Sequence, residues 1–331
     1  MSTSDYDVVA IGNAIVDIIG RCDDAYLARH GCAKGSMSLV DAARMAALYD
    51  GMGPATEISG GSAANTAVGV ASFGGRAAFI GKVADDEFGR IFAHDIKASK
   101  VAFDAKPVAG GNPTSRSLIL VTPDGERTMN TLLGISTELD DTALDPTKIE
   151  RSKVVYLEGY LFDRPEAKRA FEKASALARK AGRQVALTLS DGFCVDRHRA
   201  EFLTLIRSGV DIVFANENEI KSLYETESFD DAARRISQDA RLAVLTRSAK
   251  GSLVIDGENS TTIGIEPVAK VVDTTGAGDL YAAGFLYGFT QGLGHAKSGR
   301  LAAIAAAEII SHTGARPEVP LADLARKKGA L

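Results

Sequence analysis

Cysteine is scarce in this chain: only Cys22, Cys32 and Cys194 occur among 331 residues. Three scattered thiols with no C-x-x-C pair exclude a disulfide framework and a cysteine zinc site, and they point to a reducing compartment. A basic run is missing too. The 38 Lys and Arg residues are interspersed with 43 Asp and Glu for a net charge of -5, which leaves no electrostatic footprint for nucleic acid or an anionic membrane surface. No apolar run approaches a membrane span; the longest weakly polar stretch, Ala282 to Phe289, is interrupted by glycine. Met1 to Asp7 is polar and acidic, so no secretory leader is expected. Two nucleotide fingerprints are also absent. There is no G-x-x-x-x-G-K-[ST], and no G-x-G-x-x-G follows a strand, because Gly12-Asn13-Ala14 lacks the second glycine. A nicotinamide-dependent dehydrogenase is thereby discounted. The expectation is a soluble, cytoplasmic protein with a diffusible small partner.

What is present is ordinary globular material, 45% hydrophobic and 24% charged, long enough for a large core with one elaboration. Val8 to Ile11, Val154 to Leu157, Val185 to Leu189, Ile212 to Phe214 and Leu242 to Leu245 read as buried strands. Helical spacing in Pro165 to Ala181, Arg197 to Arg207 and Glu217 to Leu223 separates several of them, and Ser62 to Phe73 followed by Ala77 to Ile80 adds a helix and a strand. This alternation predicts a parallel sheet covered by helices on both faces. Ala14 to Val40 and Asn112 to Leu133 instead alternate with period two, the second around the turn Pro123-Asp124-Gly125-Glu126, and predict a small antiparallel layer. The expected large domain is therefore residues 1–12, 52–110 and 134–331, with a discontinuous lid of residues 13–51 and 111–133.

The strongest chemical signal is Asp273-Thr274-Thr275-Gly276-Ala277-Gly278-Asp279, running directly into the helical spacing of Leu280 to Phe289. Gly276, Ala277 and Gly278 have little side chain to shield their N–H groups, which can surround an anion at the positive end of a helix dipole. An aspartate placed there for binding alone would repel a phosphate. Asp279 makes sense as a base that accepts an alcohol proton beside a transferring phosphoryl group. The alternative is a turn with a charged N-cap.

Three further segments gather at the expected sheet edge. Gly60-Gly61-Ser62 opens a helix, its glycines allowing close backbone approach, while Asn65 offers donors and an acceptor to a hydroxyl; tight helix entry with an Asn cap is the alternative. Gly12-Asn13 and Asp17 follow the first strand, where a doubly wound sheet places ligands. There Asp17 can accept two hydrogen bonds from a vicinal diol, or simply be a solvated turn residue. Asn216-Glu217-Asn218-Glu219 closes another strand. Glu219 can orient water around magnesium, or serve only as an acidic helix start.

These segments resemble the PfkB, or ribokinase-like, family of carbohydrate and nucleoside kinases, over nearly the whole chain. The C-terminal signature is matched at Asp273 to Leu286. The N-terminal one runs from Gly60 through Gly74 to Ala84, with Ala84 standing where glycine is usual. The resemblance implies a ribokinase-like three-layer sandwich with a mostly parallel central sheet plus a small antiparallel β lid. It also implies Asp279 as base, Gly276 to Gly278 as anion hole, and Asn216 with Glu219 as the element governing magnesium and phosphate. Asn13, Asp17, Gly61, Ser62 and Asn65 are implied as substrate contacts. Thr246, Ser248 and Gly251 fall in the implied nucleotide loop, where Ser248 replaces a common glycine. ATP and Mg2+ are the implied cofactors, and K+ is implied against Asp273, Thr275 and the Ser311 to Arg316 loop.

Ser62 and Thr66, the Arg127 to Asn130 strand and the Gly314 to Pro317 tail are similar to the adenosine kinase-like branch. Adenosine is the implied first substrate, with Phe103, Leu132, Leu133 and Phe162 as candidates for an adenine pocket or for plain core. A free sugar such as ribose or fructose stays open, as does a non-catalytic nucleoside-binding sensor. Monomer and homodimer are equally compatible with exposed lid strands.

Overall fold

Strand β1 (Tyr6–Ile11) sends Val8 and Ala10 to one face of a sheet and Val9 and Ile11 to the other, and all four are fully buried. A strand with both faces covered must lie between two helical layers. The computed structural model, which describes residues 4–331, bears this out. Residues 1–3, where the Met1 to Asp7 segment and the expected large domain begin, lie outside the described residues. After β1 come β2 (Ile15–Arg21), β3 (Met37–Leu39), β4 (Ala55–Gly60), β5 (Ala77–Ile80), β6 (Val101–Ala102), β7 (Ser115–Val121) and β8 (Arg127–Leu132). The remaining strands are β9 (Ser152–Glu158), β10 (Gln184–Thr188), β11 (Ile212–Asn216), β12 (Leu242–Thr246), β13 (Ser252–Asp256) and β14 (Asn259–Ile263).

Nine strands form the large sheet in the order β14-β13-β12-β11-β10-β9-β1-β5-β6. From β12 to β6 every pairing is parallel; β13 and β14 append an antiparallel ribbon at one edge. One face packs against the Ser62–Ser72, Ala277–Thr290 and His295–Ile309 helices, and the other against Pro165–Lys180, Gly192–Gly209, Glu217–Leu223 and Phe229–Asp239. The three layers are those expected. Burying large side chains such as Phe285 and Phe171 supplies about 1.5–3 kcal/mol each relative to leaving them in water.

The smaller sheet runs β3-β8-β7-β2-β4. Its antiparallel pairs β2/β4 and β7/β8 are joined through a parallel β2/β7 pairing, and β3 lies parallel to β8 at the rim. One expected boundary needs correction. Residues 55–60 belong to this sheet rather than to the large domain, because β4 pairs along almost the whole of β2, from Ile15 opposite Gly60 to Gly20 opposite Ala55. The two crossings at Asn13 and Gly61 therefore lie side by side. Among the described residues, no helix is long and apolar enough to cross a membrane.

Candidate active site

A cleft of about 620 Å3 opens between the two sheets at the carboxyl ends of the parallel strands, where a doubly wound sheet presents its loops. It brings together Asn13, Asp17, Gly61, Ser62, Asn65, Asn216, Glu219, Thr246, Thr275 and the run Gly276 to Asp279. Ser248 and Gly251 do not line it. They form the turn between β12 and β13, where Gly251 packs so tightly that a Cβ would meet the Ile263 carbonyl at 2.1 Å.

Asp279 occupies the first turn of the Ala277–Thr290 helix. Its Oδ1 accepts from Ser62 Oγ at 2.6 Å and its Oδ2 from Asn65 Nδ2 at 2.9 Å. Burial pushes its carboxyl above the usual carboxylate range, while those two bonds and the Arg316 charge pull it back. Ser62 and Asn65, expected to face a substrate, thus hold this carboxylate. Among the described residues Asn65 Oδ1 is buried without a hydrogen-bond partner, an acceptor left for a ligand hydroxyl.

Gly276 caps the helix in a left-handed conformation, φ 78°, that glycine adopts freely. Among the described residues the Gly276 and Gly278 N–H groups make no hydrogen bond, whereas Ala277 N–H donates to Thr274 O at 3.2 Å. The expected three-amide hole thus has two free donors in this conformation, which fits a phosphate at a helix start. Gly61, φ 96°, is similarly required: a Cβ there would meet Asn13 O at 2.2 Å.

Asp17 projects from β2 over Gly60, lines the cleft, and accepts no hydrogen bond among the described residues. Burial lifts it to about 6, opposed by Arg316 and Arg127. Asn13 lines the cleft and is tied to a buried carboxylate. Its Nδ2 donates to Glu158 Oε1 at 2.5 Å, and Glu158 Oε2 also accepts from Ala63 N at 2.8 Å. Glu158, at the end of β9, ties the two crossing points together, and burial raises it to about 7. Sequence reasoning missed it, although its place at the carboxyl end of a buried strand was a usable signal.

Asn216 and Glu219 form a reciprocal capping box: Asn216 N and Nδ2 donate to the Glu219 carboxylate at 2.9 and 2.5 Å. The helix-start reading therefore holds, and Glu219 still faces the cleft, lifted by burial to about 7. Among the described residues no group of three His, Cys, Asp or Glu side chains is gathered as a metal site. Magnesium, which keeps most of its waters and is commonly bound through substrate phosphates, fits this single carboxylate better than a protein cage would.

Potassium does not fit the residues expected to hold it. Asp273 Oδ1 accepts from Thr275 N at 3.0 Å and Oδ2 from Gly314 N at 2.9 Å, while the Arg127 guanidinium forms an ion pair with the same carboxylate. Arg127 also donates to Thr275 Oγ1 at 3.2 Å. The Ser311 hydroxyl turns to Glu308 O at 2.6 Å.

Of the candidate adenine contacts, only Leu133 lines the cleft. Phe103 packs with Phe79 and Phe92, Phe162 stacks on Phe202, and Leu132 is buried in the core. The apolar wall instead comes from Met37, Leu39 and Met129 on the lid, with Tyr160 and Phe193 opposite. Arg316, lowered by burial to about 10, anchors the site from behind, donating to Ser59 O, Ser59 Oγ and Ala64 O.

A half-buried carboxylate beside free helix-start amides, at the mouth of an α/β cleft with a lid, defines a phosphotransferase acting on a hydroxyl group. The chain belongs to the pfkB family of carbohydrate kinases, whose model matches residues 53–322. It is 54% identical to the adenosine kinase of Sinorhizobium meliloti, with a TM-score of 0.91 over 98% of this chain and 99% of that one. It is 48% identical to a probable sugar kinase of Rhizobium etli, with a TM-score of 0.93 over 99% and 100%. A 254-residue match to an uncharacterized sugar kinase of Archaeoglobus fulgidus is 27% identical and covers 76% of this chain and 98% of the relative.

Proposed function

We propose that this kinase transfers the γ-phosphoryl group of ATP to the primary, 5′-type hydroxyl of a nucleoside, with adenosine as first substrate and purine salvage as its setting. The observation that carries the reading is Asp17. It is a cleft carboxylate that accepts no hydrogen bond among the described residues, suited to a ribose diol, next to the apolar surface of Met37, Leu39, Met129 and Leu133, which suits a base. The likeness to the Sinorhizobium meliloti adenosine kinase supports the same choice.

In this reading the substrate hydroxyl lies against Asp279, which takes its proton as the oxygen attacks. Ser62 and Asn65 hold that carboxylate in place. The Gly276 and Gly278 amides receive charge from the migrating phosphoryl oxygens. Glu219 would hold magnesium through water, and the ion would supply neutralisation of phosphate charge. Lid and core together exclude water. Three free cysteines, Cys194 buried among them, suit a cytoplasmic setting.

A sugar kinase is the second reading, favoured by the names of the Rhizobium etli and Archaeoglobus fulgidus relatives. A coupled ADP-release assay across adenosine, other nucleosides, ribose, fructose and 2-keto-3-deoxygluconate separates the two. Preference for adenosine supports the proposal; a clear preference for a free sugar replaces it and leaves the kinase assignment standing.

A further inference from the structure

The root of the anion-hole loop is neutralised by a residue from the other sheet. Arg127 opens β8 of the lid, and its guanidinium reaches Asp273 and Thr275, 146 and 148 positions further along the chain. Both oxygens of Asp273 are engaged: Thr275 N on one, Gly314 N and Arg127 on the other. The pair is almost fully enclosed, with 11% of the Arg127 side chain and 4% of the Asp273 side chain exposed. Arginine keeps its charge under any physiological condition. A monovalent metal ion entering here would meet a buried like charge and a carboxylate already supplied with three donors. Among the described residues the Arg127 Nε and Nη2 atoms are buried with no hydrogen-bond partner, so hydrogen-bond capacity alone does not account for a guanidinium at this place; its charge does.

We propose that Arg127 is a built-in cation that occupies the place implied for potassium, so that this kinase neither binds nor requires a monovalent metal ion beside its anion hole. The inference holds whether the substrate is a nucleoside or a sugar. Because Arg127 belongs to the lid, the neutralising charge is also a strut between the lid and the loop that carries Gly276 to Asp279.

The test starts with the unliganded full-length chain, whose melting temperature is followed while KCl replaces tetramethylammonium chloride at constant ionic strength. Only an ion that binds the folded state raises that temperature by mass action. The wild-type chain is expected to show no saturable potassium response, and its initial phosphorylation rate is expected to be the same in either salt. Arg127→Gln is expected to gain a saturable rise in melting temperature specific to potassium over sodium, with a parallel potassium-dependent gain in rate. A saturable, potassium-specific shift in the wild-type chain overturns the proposal, and so does a folded Arg127→Gln protein as indifferent to potassium as the parent. If that variant does not fold, the wild-type titration decides alone. The melting readout needs no substrate, so it stays independent of the substrate assignment.

Discussion

Ser62 Oγ donates to Asp279 Oδ1 at 2.6 Å, joining the start of the helix that follows the lid to the start of the helix that carries the anion hole. The bond sets where the carboxylate points and favours its ionised form, the form that can accept a proton. Asp279→Asn should keep substrate affinity, read by calorimetry, and lose about 10²–10⁴-fold in kcat, the usual range for removing a general base. Near-normal turnover in that variant would remove Asp279 from the chemistry.

Ser62→Ala tests the positioning separately. Loss of one hydrogen bond to a charged group costs about 1.5–3 kcal/mol, or roughly ten- to a hundredfold in kcat. The Asp279 carboxyl should also rise further, since a bond that lowers it is gone. The acid limb of the kcat–pH profile therefore moves to higher pH. A profile that falls uniformly with no displacement would mean that Ser62 acts only through packing.

Glu158 gives a pH prediction of definite sign. Its carboxyl is raised from 4.5 to about 7 by burial, so the folded state holds the proton more tightly than the unfolded chain does. The stability this contributes is full below pH 4.5 and is lost as pH rises through 7. The difference between wild type and Glu158→Gln in urea unfolding should thus fall by on the order of 3 kcal/mol between pH 4.5 and 8. Parallel stability curves across that range would contradict the assignment.

Much of the scaffold was legible because parallel strands buried on both faces leave continuous apolar runs, such as Val154 to Leu157. The helix starts at Ser62, Glu217 and Ala277 were legible because glycine or asparagine marks them. Strand β4 was not, since Ala55 to Gly60 has no strong alternation and its partner lies some forty positions earlier. Glu158 and Arg127 escaped for a related reason. Each acts through a residue more than ninety positions away, so its partner does not show in the local pattern. Phe103 and Phe162 stayed open between an adenine pocket and plain core because composition cannot tell a lining aromatic from a core one.

Arg316 should show the difference between a charge and a fork. Its three bonds to Ser59 and Ala64 pin the end of β4 to the first turn of the Ser62–Ser72 helix. Arg316→Lys keeps the charge but cannot reproduce the planar geometry. It should lose about 1–3 kcal/mol in denaturant unfolding, because acceptors are left unpaired. An unchanged midpoint and slope would show the fork to be dispensable.

The lid surface makes the substrate choice measurable. Met37 and Leu39 are 50% and 60% exposed on the rim strand β3, yet they line the cleft. Apolar side chains left open beside polar catalytic groups gain about 25 cal/mol for each Å2 that a ligand covers, so a flat base laid on them recovers roughly 1–2 kcal/mol per side chain. Leu39→Ser should then raise KM for a nucleoside about five- to thirtyfold and leave KM for ribose nearly unchanged, because ribose has no base to cover that surface. Equal losses for both substrates would place the damage in lid packing, and no loss for either would move the base to the Tyr160 and Phe193 side of the cleft.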